Sequence, residues 1–329
     1  MEFGPVPLNE AVGGIAAHSH RGPGFAIKKG ARLTSHDVEA LQKAGMTEVT
    51  VARSGARDIA EDQAARAMAE AACGSGLHVD GAFTGRCNLR ADASGILRVD
   101  AEAINRANAI DEALTIATPP DFARLESGKL AATAKVIPYA VDGGSVERVV
   151  ALLRGALTLH PFLPMQSHLI VTHARGQNES LIKKGAEAVR KRLWALGCPN
   201  PGVDVVAHSE VAVREALQAS PSTELTLILG GSATSDRRDV APAAVVAAGG
   251  NIKRFGMPVD PGNLLVLGRF RNKPLVVLPG CARSPALNGA DWVLERLAAR
   301  LSISGEDIAG MGVGGLLKEI PSRPQPRER

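Results

Sequence analysis

Two stretches of the chain gather residue types suited to phosphates and other oxyanions. The first runs Leu229-Gly230-Gly231-Ser232-Ala233-Thr234-Ser235-Asp236-Arg237-Arg238-Asp239, where two glycines and several hydroxyls precede two carboxylates that flank two arginines. Glycines at a strand end leave backbone N–H groups open to an oxyanion, and arginines balance its charge. Part of this has a plainer explanation: Gly230 and Gly231 make a tight turn, and Asp239 caps a helix that has Pro242 in its first turn. For Asp239 capping and chemistry both stand open. A turn does not require Asp236, Arg237 and Arg238 together.

The second stretch, Leu278-Pro279-Gly280-Cys281-Ala282-Arg283-Ser284-Pro285, reads as strand, glycine turn and helix start, with Ser284 as cap and Pro285 at the first helical position. A helix amino terminus beside Arg283 would suit an oxyanion, although an ordinary capped helix with a surface arginine explains the same letters. Cys281 would need a neighbouring base to act as a nucleophile, and a buried inert thiol is the simpler reading. Between the two stretches lies Gly256-Met257-Pro258-Val259-Asp260-Pro261-Gly262-Asn263, a turn that also carries an acid. Phe83 to Arg90 could reach a ligand or simply join two strands, and His18 and His20 lack the further placed ligand that a metal site needs. Gly310 to Gly315 does not follow a clear strand, so it reads as a flexible closing loop and not as a dinucleotide fingerprint.

The elements that must position these residues follow from periodicity. From about Gln166 the chain alternates strand 168–172, helix 178–196, strand 203–207, helix 210–219 and strand 225–229, which predicts a mostly parallel sheet covered by helices. Ile182, Ala186, Val189, Leu193 and Leu196 recur at spacings of four and three on one face of the first of these helices. A short helix to Ala248, extended segments at 251–256, 263–268 and 274–278, and a helix from Pro285 to about Leu301 complete the region. In an open sheet of this kind ligands sit at the carboxyl ends of the strands, which is where both glycine stretches fall.

Residues 1–163 read as a mixed α+β domain with helices at 35–44, 59–72, 101–117 and 145–156. Thr34 and Asp37 form the start signal of the first helix and Gly45 its stop. His160 to Pro164 reads as the joint, 164–320 as the second domain, and 321–329, rich in proline and arginine, as a tail.

Composition narrows the classes. At 45% hydrophobic and 22% charged residues the chain is globular and not disordered. With 7 Phe, 2 Trp and 1 Tyr, platforms for stacking bases are scarce, which argues against nucleic-acid binding. A net charge of +4 mildly favours anionic small ligands. Four dispersed cysteines without C-x-x-C argue against a zinc ribbon or disulfide framework, and no apolar run of membrane length or export signal is visible; a cytoplasmic protein is expected.

Taken in order, these motifs resemble the molybdopterin-binding domain shared by molybdopterin molybdenumtransferase and molybdopterin adenylyltransferase. Gly230-Gly231 with Asp236 is similar to the first enzyme's glycine-serine-acid loop. Arg238-Asp239-Val240-Ala241-Pro242 is similar to the second's arginine-aspartate-valine-threonine-proline stretch, and Leu278-Pro279-Gly280 with Ser284 to the leucine-proline-glycine loop. The segment from Lys28 to Val51 resembles part of the molybdenumtransferase amino domain, while 80–140 does not match it closely. The combination looks most like the molybdopterin-binding region found fused to nucleotidyltransferase domains, with Arg329 standing where that second domain would begin.

The resemblance implies a ligand, molybdopterin or its adenylylated form, with molybdate insertion as the reaction and Mg2+ and molybdate as accompanying ions. Asp236 and Asp239 would be the catalytic residues, with Asp236 also holding the metal. Gly230, Gly231, Ser232, Thr234, Ser235, Arg238, Asp260, Pro279, Gly280, Arg283 and Ser284 would bind the ligand. A homo-oligomer is expected, with a separate nucleotidyltransferase or molybdenum hydroxylase as partner. Departures from the family pattern keep two alternatives open, a noncatalytic carrier and a nucleotide pyrophosphatase. The family's serine after the glycines is displaced by one position, its lysine is replaced by Asn263, and the asparagine and proline of its third loop are Cys281 and Ala282.

Overall fold

The structure, a computed structural model, describes residues 1–176 and 178–317. The chain divides into two compact units, Met1–His160 and Pro161–Arg329. The tail expected at 321–329 lies outside the described residues.

In the first unit, Glu2–Pro7 and Ile15–Ala16 pair antiparallel with Glu48–Arg53. The helix Ser35–Lys43 begins at Thr34, whose hydroxyl and N–H exchange bonds with Asp37 as the sequence predicts, and it buries Val38 and Leu41. A second, four-stranded antiparallel sheet runs in the order Leu114–Ala117, Leu130–Val136, Arg86–Ala91, Leu77–Val79. Its core is shared with the helices Glu61–Ala72, Ala101–Asn108 and Gly143–Leu153. Ala64, Ala65, Ala69 and Ala72 are all fully buried, so small side chains let the first of these helices lie close to its neighbours. The helix expected over 101–117 stops at Asn108. The side chain of Asn108 bonds both the N–H and the carbonyl of Ile116, which draws Leu114–Ala117 into the sheet as a strand.

The second unit has the expected α/β architecture. Its elements are β1 Ser167–His173, α1 Glu179–Trp194, β2 Gly202–Ala207, α2 Glu210–Ala219, β3 Leu225–Leu229, α3 Val240–Ala247, β4 Asn251–Phe255, β5 Val266–Phe270, β6 Lys273–Leu278, α4 Gly289–Ala298 and α5 Gly305–Ala309. The six strands form one sheet in the order β2-β1-β3-β6-β5-β4, parallel from β2 to β6 and antiparallel beyond. The central strands are buried on both faces, hence their largely apolar middles, Leu169-Ile170-Val171 and Leu227-Ile228-Leu229. Leu169, Val171, Leu227 and Leu229 share one core with α1 and α4, whereas Ile170 and Ile228 share the opposite one with α2 and α3. Three layers result.

One boundary differs from expectation. Gly280–Arg283 is a single 3-10 turn, and α4 begins at Gly289, capped by Asn288 with Asp291 reciprocating, so Ser284 and Pro285 do not start the helix. The cause is Arg192 of α1. Its guanidinium bonds the carbonyls of Ala282, Ser284 and Ala286, which holds that segment out of helical register. Nor is Gly310–Gly315 a loose loop, since a 3-10 turn at Gly310–Gly312 is followed by bonds that tie Gly315 and Leu317 to Asp260.

Candidate functional site

The parallel strands bring their carboxyl ends together at one edge of the second unit. There a single hydroxyl joins three of them. Thr172, near the end of β1 and 1% exposed, accepts the Gly231 N–H through Oγ1 at 2.6 Å, and the same oxygen lies 2.8 Å from Nδ1 of His208, the residue after β2. His208 is tied back again by its N–H to the carbonyl of His173. Gly231 must be glycine for this approach, because a Cβ there would stand 2.9 Å from the Ala174 nitrogen and 3.0 Å from the Thr172 carbonyl.

The glycine loop also meets the second sequence stretch. Arg283, in the 3-10 turn after β6, donates through Nη2 to the carbonyl of Gly230. Burial alone draws this guanidinium below its ordinary pKa. Gly185 of α1 makes room for it: a Cβ there would be 3.5 Å from the arginine Cγ and 3.0 Å from a methyl of Leu229. The turn itself is held from behind by Arg192, only 8% exposed, whose Nε pairs with Asp291 at 2.7 Å.

The carboxylates are arranged differently from one another. Asp239 caps α3, with Oδ1 accepting from Val240 N–H at 2.7 Å and Oδ2 from Ser235 N–H at 3.0 Å. The Ser235 bond first, then the Val240 bond and nearby His208, hold its carboxyl below the usual range. Asp236 is exposed and closes a short turn, Oδ1 accepting from the backbone N–H of Arg238 at 2.8 Å and from its Nε at 3.1 Å. These bonds lower its pKa too. Both of these bonds fall on Oδ1.

Of the residues singled out in the sequence, the structure thus joins Gly230, Gly231 and Arg283 directly, and Ser235 with Asp239. Asp236 pairs with Arg238. Thr234 is buried, Ser232 exposed, Pro279 buried and Gly280 exposed at the start of the 3-10 turn. Ser284 accepts from Ala286 N–H at 3.3 Å and caps no helix. Asp260 is placed by other bonds, its N–H to Gly315 and its carbonyl to Leu317. Sequence reasoning passed over Thr172, His208, Gly185 and Arg192. A signal existed for the first two, a polar residue closing an apolar strand and a histidine directly after the next strand. For Gly185 and Arg192, mid-helix letters, there was none. Among the described residues no group of three or more His, Cys, Asp or Glu converges as a metal site.

A family model described as a domain of unknown function (DUF8806) matches residues 5–53. No curated protein matches the chain in sequence. Among solved structures, a molybdopterin biosynthesis MoeA protein from Pyrococcus horikosii is similar over 91% of this chain and 75% of its own, at 12% identity and a TM-score of 0.31. MogA is similar over 41% of this chain and 90% of its own, at 21% identity and a TM-score of 0.28. Molybdenum cofactor biosynthesis protein B is similar over 42% of this chain and 95% of its own, at 13% identity and a TM-score of 0.30.

Proposed function

We propose that the second unit binds molybdopterin or its adenylylated form in molybdenum cofactor biosynthesis, and that the step it serves is molybdate insertion. The observation that carries this reading is the bond from Arg283 to the Gly230 carbonyl. It brings the two stretches that resemble molybdopterin-binding loops together at one edge of the sheet, with a guanidinium between them. Such an edge suits a ligand that carries a phosphate.

In this reading the glycine loop and the turn after β6 hold the phosphate end, and Thr172 fixes the Gly231 amide so that the loop is rigid before the ligand arrives. Asp236 would be the carboxylate offered to a divalent cation. A divalent cation held by Asp236 would supply charge stabilisation to the ligand phosphate. The test is incubation of the protein with adenylylated molybdopterin, magnesium and molybdate, following AMP release beside metal incorporation. Molybdate-dependent AMP release that falls in Asp236→Asn supports the insertion reading, and AMP release without molybdate points to a nucleotide pyrophosphatase.

One observation favours a second reading, a noncatalytic carrier. Both oxygens of Asp239 are engaged, Oδ1 by the Val240 N–H at the helix start and Oδ2 by the Ser235 N–H of the preceding loop, which leaves it poorly placed to orient water. Asn263 also stands where the resemblance would have a lysine. Tight binding of adenylylated molybdopterin with no turnover would select the carrier.

A further inference from the structure

The end of the sheet opposite the glycine loops has a cavity of its own, about 390 Å³, formed between the starts of β3 and β6, the β4–β5 edge and the segment after α4. Four cationic side chains line it: Lys253 of β4, Arg269 of β5, Lys273 at the start of β6 and Arg300 after α4. Only one acid, Glu224, lies among them.

That acid offsets only part of the group: Arg300 is its ion-pair partner, and Lys273 is near enough to lower its pKa as well. Glu224 accepts from the Gln166 N–H at 2.9 Å and from Arg300 at 2.7 Å, and Arg300 also donates to the Pro164 carbonyl at 2.8 Å. The two therefore close on each other and on the backbone. Lys253, Arg269 and Lys273 make no ion pair among the described residues, and they come from three different strands. Their convergence on one cavity is a product of sheet order, since β6, β5 and β4 are neighbours. Like charges gathered in a concave site repel one another unless an anion joins them, and low-dielectric walls concentrate their field. The floor supplies such walls: Leu267 is 3% exposed and Ile303 8%. Asn272, in the β5–β6 hairpin, adds a neutral amide at the rim.

We propose that this cavity binds a nucleoside diphosphate or triphosphate, the cations taking the phosphates and the Leu267–Ile303 floor covering part of the organic portion. Three cations match a pyrophosphate better than a single carboxylate, and the volume suits a nucleotide-sized ligand. The site lies at the amino ends of the parallel strands β3 and β6, and at the carboxyl end of the antiparallel β5, and is separate from the loops assigned above to the pterin ligand. It does not depend on that assignment.

The test is calorimetric titration of the full chain with pyrophosphate and with ADP, at low and at physiological salt. Expected are saturable binding of both, tighter for ADP, a weakening with salt, and a loss of tenfold or more in Lys273→Ala with Arg269→Ala. These side chains are exposed, and circular dichroism of the double variant checks that it folds. Asp239→Asn and Arg283→Ala should leave this binding unchanged. Absence of binding at millimolar pyrophosphate and ADP would overturn the proposal. So would binding that survives the double variant but falls in Arg283→Ala, which would locate the anion at the glycine loops instead.

Discussion

Arg192 and Asp291 lie 99 residues apart in sequence and meet at 2.7 Å, in a pair whose side chains are 8% and 15% exposed. Through this pair α1 holds the start of α4, and the remaining donors of Arg192 hold the carbonyls of the turn that presents Arg283. A residue with no place in any motif thereby shapes one wall of the candidate site.

Replacing Arg192 by Met leaves the half-buried Asp291 without its ion-pair partner and several carbonyls without Arg192's donors, a loss of about 1–3 kcal/mol. Arg192→Lys should recover little, because a lysine cannot serve a carboxylate and several carbonyls from one planar fork. Urea unfolding of both variants measures this. Equal stability of the lysine variant and the parent chain would contradict the role assigned to the fork.

Thr172→Val keeps the shape and removes the hydroxyl. The Gly231 N–H and His208 Nδ1 then lose the oxygen they share, and a buried polar group left unsatisfied costs about 1–3 kcal/mol. Thr172→Ser should keep most of the stability. In the proposed function, affinity for adenylylated molybdopterin falls in the valine variant and survives in the serine variant, which an equilibrium binding assay can read beside the unfolding midpoint.

Gly231→Ala tests the close approach of the glycine loop to β1. The new methyl would be forced against the Ala174 nitrogen and Thr172 carbonyl, and backbone cannot yield as a side-chain end can. A cost of about 1–3 kcal/mol is expected from overpacking. In the proposed function ligand binding should fall further than stability does, because the shift breaks the Gly231 N–H bond to Thr172 that holds the loop in place.

Asp239→Ala removes a helix cap, with an expected cost of about 0.5–2 kcal/mol at neutral pH. The pH dependence has a definite sign. The folded-state pKa of Asp239 is depressed, first by the Ser235 backbone bond, so its contribution is fully present above the ordinary aspartate range and is lost as pH falls through the folded value. The stability gap between the parent chain and Asp239→Ala should therefore be constant near neutrality and shrink in acid below about pH 4. Asp239→Asn still caps, and separates capping from any chemistry of the carboxylate. A gap that instead widened in acid would refute this account.

The layout of the second unit was legible because its strands are short apolar runs and its helices carry apolar residues at spacings of three and four. α2, expected over 210–219, has those very bounds, and Thr34 with Asp37 marked the first helix of the chain. Such signals are local, since periodicity and capping depend on neighbours within one turn. The expected helix over 101–117 failed at Asn108 because its side chain is used by Ile116, a strand residue. The start expected at Pro285 failed because Arg192, far away in sequence, holds the carbonyls that a helix would have used.

The same division runs through the candidate sites. Residue types alone determined that Gly230, Gly231 and Arg283 follow the ends of two strands, since glycine and the strand-turn pattern are local facts. Only the tertiary structure decided that Arg283 reaches Gly230, that Thr172 joins the ends of three strands, and that Lys253, Arg269 and Lys273 share a cavity. The physical reason is sheet order. β1, β3 and β6 lie side by side although β2, β4 and β5 intervene between them in sequence, so the chemistry at their ends is assembled only when the sheet forms.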